Sequence, residues 1–497
     1  MTDVRPATTL GELIGDWLPR QRWFAAKGGD RPVLESAGGL RLRRPAGPES
    51  GEHSEADVGV AVHFVTADAG GVRATYQVPL TYHGVERPEL AHALVGLLDQ
   101  GQGDGVQWVY DGPHDPAFVR AWLALVASGA EALSDDGPAG GRAVGVLQPG
   151  TPRPSLERPA RVLSGEQSNT SIIVGGDDDG DGDGDGDGDG DGDGEGPVIL
   201  KVFRVLQAGA NPDVAVTSVL TATGCPNVPR LVGWVDGEWI DPSGGRAHGH
   251  LTSVSEFLPD SEDAWRIACV AVENGRPFTE QARAIGAATA AVHDALARAL
   301  PTSQASDATL GELADHLQER LDWALGAVPA LQPYADAARA TVDAVRSLDR
   351  VPRLQRIHGD LHLGQVLQAR DRGWVLLDFE GEPLRPLADR NRPDLAVRDI
   401  AGMLRSFDYA ARHTIIGLDP ADLRVTEADA WASDCSLAFL EAYAAAGGQD
   451  PREHATLLRA LELDKALYEA VYETRNRPAW VQIPFSAVTR LLATASS

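Results

Sequence analysis

The stretch that most constrains this chain runs from Arg356 to Glu382, where a short hairpin pattern is flanked by charged and polar residues. Gln365-Val366-Leu367 and Trp374-Val375-Leu376-Leu377 are apolar runs separated by the polar tip Ala369-Arg370-Asp371-Arg372-Gly373, which reads as two strands joined by a glycine-containing turn. His358-Gly359-Asp360-Leu361-His362 precedes the first strand and Asp378-Phe379-Glu380-Gly381-Glu382 follows the second. Asp360 and Gln365 lie five positions apart, and Asp378 thirteen further on. One carboxylate in such a set can accept or orient the proton of an attacking hydroxyl. A second carboxylate and an amide oxygen can hold Mg2+, a hard cation that takes oxygen ligands. The spacing therefore assigns Asp360 as catalytic base and Gln365 and Asp378 as metal ligands.

The 497 residues allow two or three domains, and 43% apolar content is enough for their cores. No apolar run reaches the roughly 20 residues that span a bilayer, and Met1-Thr2-Asp3-Val4-Arg5 opens no signal-peptide pattern, so the expectation is a cytoplasmic protein with no membrane partner. Cys225, Cys269 and Cys435 are widely spaced, which indicates buried small hydrophobes and neither a disulfide framework nor a zinc site. A net charge of −28 argues against nucleic acid as a partner. Ten Asp and one Glu between Asp177 and Glu195 contribute part of that charge, and the remainder is still −17. This Asp-Gly tract has no apolar residue to bury and reads as a disordered, self-repelling loop. Nothing in the sequence sets an oligomeric state; a monomer is the default expectation.

Along the chain, Leu10 to Leu18 has helical spacing, with Arg22, Trp23 and Lys27 read as a packed helix end with snorkelling cations. Val58 to Val65 and Val72 to Leu80 alternate as strands of a small antiparallel sheet, and the pattern predicts helices over Pro88–Asp99 and Asp115–Ala132. Val162 to Val174 and Val198 to Phe203 form a second hairpin pattern, whose first turn, Ser164 to Asn169, offers backbone N–H groups and small side chains to phosphates. Lys201 is a lone cation in an apolar strand and must point at something anionic. Asn211-Pro212-Asp213 starts a helix that runs to about Ala222. Val228–Asp236 and Gly249–Phe257 are strand-like, and Glu256-Phe257-Leu258-Pro259 breaks the pattern as a hinge would, with backbone groups at Glu256 and Leu258 placed to bond an adenine edge. From there the pattern is mainly helical: Glu280–Leu300, in which His293 is read as a packed core residue, then Leu310–Leu325, Tyr334–Leu348, the segment around Arg398–Tyr409, Asp429–Ala445 and Glu453–Tyr472.

Gln21-Arg22-Trp23-Phe24, Glu166-Gln167-Ser168-Asn169-Thr170-Ser171, the run His358 to Leu367, Asp378-Phe379-Glu380-Gly381-Glu382-Pro383, Arg398 to Tyr409 and Arg475-Asn476-Arg477-Pro478 together resemble the actinobacterial maltokinases and the closely similar glucosamine kinases. These are sugar kinases with an aminoglycoside-phosphotransferase-like fold. The resemblance covers nearly the whole chain apart from the acidic insert. It implies an α+β, bilobal, eukaryotic-protein-kinase-like fold. Residues 1–140 would be an N-terminal α+β cap and the start of an intermediate subdomain, and 141–258 an N-lobe nucleotide-binding sheet with the acidic insert 177–196. Residues 259–497 would be a mainly helical C-lobe with the catalytic loop and the acceptor site.

The resemblance further implies ATP in the interlobe cleft, with Lys201 on its phosphates, Mg2+ on Gln365 and Asp378, and Asp360 as base; Ser168 and Asn169 of the turn are the further phosphate contacts expected. This sequence departs from the family pattern at Ala215, where an Asn-Pro-Asp-x-Glu segment usually supplies the acidic partner of the strand lysine, and at Trp480-Val481-Gln482-Ile483-Pro484, which differs from Trp-Leu-Pro-Ile-Pro. Tyr468/Tyr472 and Glu469/Glu473 are i,i+4 pairs sharing a helix face. Aromatics stack on sugar faces and carboxylates bind an ammonium. Asp360, His362, Glu469, Tyr472, Glu473 and Trp480 are thus the candidate acceptor residues, and glucosamine, giving glucosamine 6-phosphate, is the expected acceptor ahead of maltose, giving maltose 1-phosphate. An aminoglycoside-modifying kinase fits the cap and C-terminal motifs less well. Outside this class stands a pseudokinase that binds sugar or nucleotide with weak catalysis, motivated by Ala215 and by Gln365 in place of the usual Asn.

Overall fold

The computed structural model describes residues 6–7, 9–24, 31–42, 58–69, 71–99, 105–135, 137–163, 168–176, 196–382, 385–419 and 422–493. Lys27, the turn residues 164–167, the acidic tract 177–195 and Pro383 lie outside them. The chain forms two compact units, Met1–Val214 with Arg230–Pro259, and Ala215–Pro229 with Asp260–Ser497.

The first unit is built on one antiparallel sheet of thirteen strands. Its spatial order runs Leu94–Asp99, Val106–Asp111, Val72–His83, Gly59–Ala69, Val33–Arg41, Glu131–Ser134, Gly137–Leu147, Leu231–Ile240, Arg246–Glu256, Val198–Phe203, Asn169–Val174 and Ala160–Val162, with Val205–Leu206 paired to Val72–His83. The helix Pro116–Ser128 covers part of this sheet. It starts on Asp115, whose carboxylate accepts from the Ala117 N–H at 2.8 Å with Pro at the first position, and it ends on Gly129 at φ 64. Phe118, Trp122 and Val126 bury in one core with Phe64, Val62 and Leu251. That approach is close enough that a Cβ on Gly145 would collide with the Leu125 carbonyl. A second core gathers Ile14, Trp17, Trp23, Phe24 and Tyr76 under the N-terminal helix Leu10–Trp17, which opens with a Thr9/Glu12 capping box.

The two parts of the sheet are tied by a buried ion pair. Arg204, fully buried, donates to both Asp111 oxygens at 2.9 and 3.0 Å and to Thr170 Oγ1 at 2.8 Å, and its guanidinium lies over the Trp23 ring at 4.7 Å. Trp23 is therefore a core residue. The expected helix over Pro88–Asp99 is a correction: Pro88–Ala93 forms a short 3-10 helix, and Leu94–Asp99 is a strand paired with Val106–Asp111. Gly96, at φ 155, makes a bulge in that pairing, which a helical reading of the same apolar residues cannot accommodate.

The second unit is mainly helical. Thr279–Ala299, Leu423–Ala445, Ala396–Arg412, Ala455–Asn476, Asp307–Ala327 and Ala335–Arg346 pack around Phe278, Ile285, Phe407, Phe439, Leu461 and Leu467. Gly286 lets one helix meet the Phe439 carbonyl of another. The expected hairpin is present as Val366–Ala369 and Gly373–Leu376, extended by Ser261–Asp263. Cys225 and Cys435 are buried and Cys269 half-buried, all as free thiols. No described helix is long and apolar enough to cross a membrane.

Candidate active site

The loop that carries Asp360 is held from beneath by the helix Ala396–Arg412. Asp399, buried on that helix, accepts from the His358 N–H at 2.7 Å and the Gly359 N–H at 2.8 Å. Its Oδ2 also accepts from His293 Nε2 at 2.9 Å, and Tyr443 OH donates to His293 Nδ1 at 2.9 Å. His293 is thus a buried member of the scaffold. Gly359 takes φ 87, and Gly402 lets the helix pass against the Leu361 carbonyl, where a Cβ would collide. Ser406 Oγ accepts from the Leu363 N–H at 3.0 Å. His358 Nε2 donates to the Leu377 carbonyl at 2.7 Å, which fixes the proton on that nitrogen and ties the loop to the end of the hairpin.

Asp360 is met by a residue that the sequence pattern does not single out. Lys465 Nζ donates to Asp360 Oδ1 at 2.7 Å. Burial alone would push the Asp360 carboxyl up; the Lys465 ammonium, with smaller help from His362 and His358, outweighs it and holds the group below the ordinary carboxylate range. His362, whose Nδ1 accepts from the Gly364 N–H at 3.1 Å, is pushed down by burial and stays neutral near pH 7. Gln365 and Asp378 are adjacent, with Gln365 Nε2 donating to Asp378 Oδ2 at 3.2 Å. Asp378 holds the left-handed backbone conformation at φ 60, a strained geometry for a non-glycine residue that concentrates at functional positions. Two neighbouring side chains that offer only hard oxygen ligands fit Mg2+.

The expected acceptor residues converge. His362, Glu469, Tyr472, Glu473 and Trp480 all line one cavity of about 300 Å³, together with Tyr409, Lys465, Tyr468 and Arg477. Asp360 lines an adjoining recess that shares Gly402 and Lys465 with the cavity. Tyr468 and Tyr472 stack at 6.4 Å along the helix Ala455–Asn476, and Trp480 stacks on His413 at 6.3 Å. Both carboxylates are already engaged. Arg405 donates to Glu469 Oε2 through Nη2 at 2.6 Å and Nε at 3.0 Å; Glu473 accepts from Arg477 at 2.6 and 2.9 Å and from Tyr409 OH at 3.2 Å. Burial nevertheless leaves the Glu469 carboxyl above its ordinary range, Arg405 offsetting it only in part.

In the first unit, Lys201 lies 3.6 Å from Asp213, so the acid at the start of the helix takes the place that Ala215 leaves empty of charge. Asn169 pairs opposite Phe203 in the sheet and Ser168 is exposed at the strand's start. The Glu256 N–H donates to the Arg230 carbonyl at 2.8 Å and its carboxylate meets Arg230, so that donor is engaged within the sheet; Leu258 is buried. Asp399 and Arg405 lie in the Arg398–Tyr409 motif and Arg477 in Arg475–Pro478, without a role read from either, whereas Lys465 belongs to the site with no motif that marks it. A signal exists for Lys465, which stands four residues before Glu469 and seven before Tyr472 on one helix face.

The sequence profile of the maltokinase N-terminal cap domain matches residues 17–115, and that of the phosphotransferase enzyme family matches residues 161–457. The chain is 28% identical over 352 residues to the glucosamine kinase of Mycolicibacterium smegmatis, covering 69% of this chain and 81% of that one. It is 30% identical over 260 residues to the glucosamine kinase of Streptacidiphilus jiangxiensis, covering 49% and 58%. A solved structure of a glucosamine kinase in complex with glucosamine, ADP and inorganic phosphate shares the fold at a TM-score of 0.62 and 22% identity, over 97% of this chain and 99% of that one. With the loop geometry and the sheet-and-helix architecture beside these matches, the chain belongs to the phosphotransferase enzyme family and carries a maltokinase-type N-terminal cap.

Proposed function

We propose that this enzyme is an ATP-dependent sugar kinase that phosphorylates glucosamine at its exocyclic hydroxyl, giving glucosamine 6-phosphate and ADP. The observation that carries the reading is the single cavity in which His362, Lys465, Glu469, Tyr472, Glu473 and Trp480 meet beside Asp360. Its volume of about 300 Å³ lies at the low end for small-molecule sites and suits one pyranose better than two. Aromatic rings supply stacking surface for the sugar, and Glu469, a buried carboxylate with only Oε2 spent on Arg405, gains from a protonated amine.

In this reaction the Asp360 carboxylate accepts the acceptor's hydroxyl proton as the oxygen attacks the γ-phosphorus in line, and the bond to the ADP oxygen breaks. Lys201, held by Asp213, is the cation for the nucleotide phosphates in this reading, with Ser168, Asn169, Glu256 and Leu258 as further nucleotide contacts. Gln365 and Asp378 would hold Mg2+. A cation bound there neutralises charge on the phosphate oxygens. Expulsion of bulk water from the half-buried loop and the orientation of Asp360 are the protein's own contributions.

The test is ADP release with glucosamine, glucose and maltose as acceptors, with 31P NMR on the product. Turnover on glucosamine with a 6-phosphate resonance is expected. Preferred turnover on maltose would move the assignment to a maltokinase, and no turnover on any of the three would overturn the sugar-kinase reading. Asp360→Asn should lower kcat by about 10²–10⁴-fold with nucleotide binding retained.

A further inference from the structure

We propose that Lys465 is a positioning residue of the transfer reaction: its ammonium fixes the rotamer of Asp360, keeps the carboxylate ionised, and leaves Oδ2 as the oxygen that takes the acceptor's proton. The proposal deepens the sugar-kinase reading and rests on Asp360 being the base.

The geometry is specific. Lys465 stands on the helix Ala455–Asn476, 105 residues from Asp360 in sequence, and reaches it at 2.7 Å. Its side chain borders both the recess that holds Asp360 and the acceptor cavity. The stem is itself fixed, because Nζ lies 5.6 Å from the centre of the Tyr468 ring, whose neighbourhood also includes the Arg320 guanidinium at 5.5 Å. Asp360 spends Oδ1 on Lys465, and among the described residues no hydrogen bond reaches Oδ2. A carboxylate with one oxygen anchored and one open is held in a single orientation, which is what proton acceptance from a bound hydroxyl needs.

The electrostatic side follows from what faces Asp360. Lys465 approaches from one helix and His358 and His362 from its own loop; Glu382, Asp464, Arg398 and Asp399 line the same recess. Glu382 and Asp464 are bound to Arg320, at 2.8 and 3.1 Å, and Arg398 lies 3.6 Å from Asp464. The Glu382 and Asp464 carboxylates are thus paired with guanidiniums, and Lys465 is the cation that contacts Asp360 directly. Remove its charge, and a buried carboxyl loses the cation that does most to hold it ionised, keeping only the smaller help of His362 and His358; the protonated, inactive form then gains ground as pH falls.

The pH effect therefore has one direction. In the native enzyme Asp360 lies below the ordinary carboxylate range, so activity that depends on it is flat from neutral pH down through mild acid. In Lys465→Met the acid limb moves up. Measured over pH 5–8 with saturating nucleotide, Lys465→Met should lose about 10²-fold in kcat at pH 8. It should fall a further tenfold or so at pH 5 relative to wild type, the loss expected when the protonated carboxyl outnumbers the carboxylate about ten to one. The sugar's own ionisation is common to both proteins and cancels in the ratio. Lys465→Arg, which keeps the charge with altered reach, should restore the flat profile while recovering part of kcat, and KM for ATP should stay within about twofold. Lys465→Gln, uncharged but still a hydrogen-bond donor, serves if the methionine variant does not fold, and should show the same raised limb. A limb that superimposes on wild type, in whichever uncharged variant folds, overturns the proposal. If Asp360→Asn keeps native turnover, the base assignment itself falls; an inactive Asp360→Asn beside an unshifted lysine variant overturns the role of Lys465 alone.

Discussion

Asp399 bears more of the catalytic loop than any other side chain, and Asp399→Asn isolates its contribution because the amide has the same shape. The carboxylate takes three hydrogen bonds: the His358 N–H and His293 Nε2 on Oδ2, and the Gly359 N–H on Oδ1. An amide retains one acceptor oxygen. The better orientation keeps that oxygen on the two donors and turns the NH2 toward the Gly359 N–H, leaving a buried donor facing a donor. The unsatisfied group costs roughly 1–3 kcal/mol, and loss of charge assistance on the other two bonds about 1 kcal/mol each. The total, about 3–5 kcal/mol, is a large part of typical domain stability. The second unit has about 250 residues, so each kcal/mol corresponds to about 2–4 °C and its thermal transition should fall by roughly 6–20 °C. The displaced Gly359 also carries Asp360 with it, and a shift of about 1 Å is worth about 10²-fold in kcat. Differential scanning calorimetry and ADP-release kinetics on the same sample are the assays. A transition within about 2 °C of wild type together with kcat within about threefold would refute the claim that this carboxylate holds the loop.

Asp213→Asn should raise KM for ATP about tenfold with kcat changed less, and cost about 1–3 kcal/mol in stability, since both members of the Lys201 pair are mostly buried; an unchanged KM removes Asp213 as the lysine's partner. Gln365→Ala should raise the free Mg2+ needed for half-maximal rate by about 10-fold or more, read from activity against free Mg2+. Glu462 is pushed up to about 7 by burial, so the folded state favours its protonated form: that stability is complete below the ordinary glutamate value and is lost as pH rises through about 7. Glu462→Gln should therefore stabilise the protein at pH 8 by about 1–2 kcal/mol, solvent screening part of the effect at this half-buried side chain, and leave it unchanged at pH 4; equal shifts at both would contradict the cause. Glu469→Gln should cost kcat/KM for glucosamine about 10–100-fold while changing glucose turnover less than about threefold, whereas equal losses would mean Glu469 acts only through Arg405.

The helical unit is legible because its signal is local. The pattern at Glu280–Leu300 corresponds to the helix Thr279–Ala299, and that at Leu310–Leu325 to Asp307–Ala327. The capped sheet is legible only in part: Gly59–Ala69, Val72–His83, Asn169–Val174, Val198–Phe203, Leu231–Ile240 and Arg246–Glu256 read as strands, but Val33–Arg41 and Gly137–Leu147 do not, and the order is hidden because Val33–Arg41 finds Glu131–Ser134 across most of the cap. Leu94–Asp99 misleads for the same reason: its apolar residues satisfy a helical spacing, and only a partner strand beyond residues 100–104 makes them a strand. The site divides in the same way. Asp360, Gln365 and Asp378 fall within 19 consecutive positions and read as a set. Lys465, 105 residues from Asp360, and Arg405, 64 residues from Glu469, complete that set through tertiary contacts alone.

Those tertiary contacts change what the helix Ala455–Asn476 does. In sequence its two glutamates form an acidic wall for an amine. In the fold each is bound to a guanidinium, so a count of carboxylates says little about attraction, and position along the helix says more. At 1.5 Å per residue, Glu469 lies about 6 Å along the axis from Lys465 and Glu473 about 12 Å. Lys465 marks the transfer end, since it holds Asp360. Under the proposed reading, an amine on the same pyranose as the phosphorylated hydroxyl would fall nearer Glu469, and a second sugar ring would extend toward Glu473. Tyr409, Arg477 and Trp480 close around Glu473, with Arg477 lying 4.7 Å from the centre of the Trp480 ring, and they occupy that farther space. The same helix thus holds Asp360 with one residue and carries the Glu473–Arg477–Trp480 cluster two turns later, and the proposed preference for a single amino sugar rests on that arrangement.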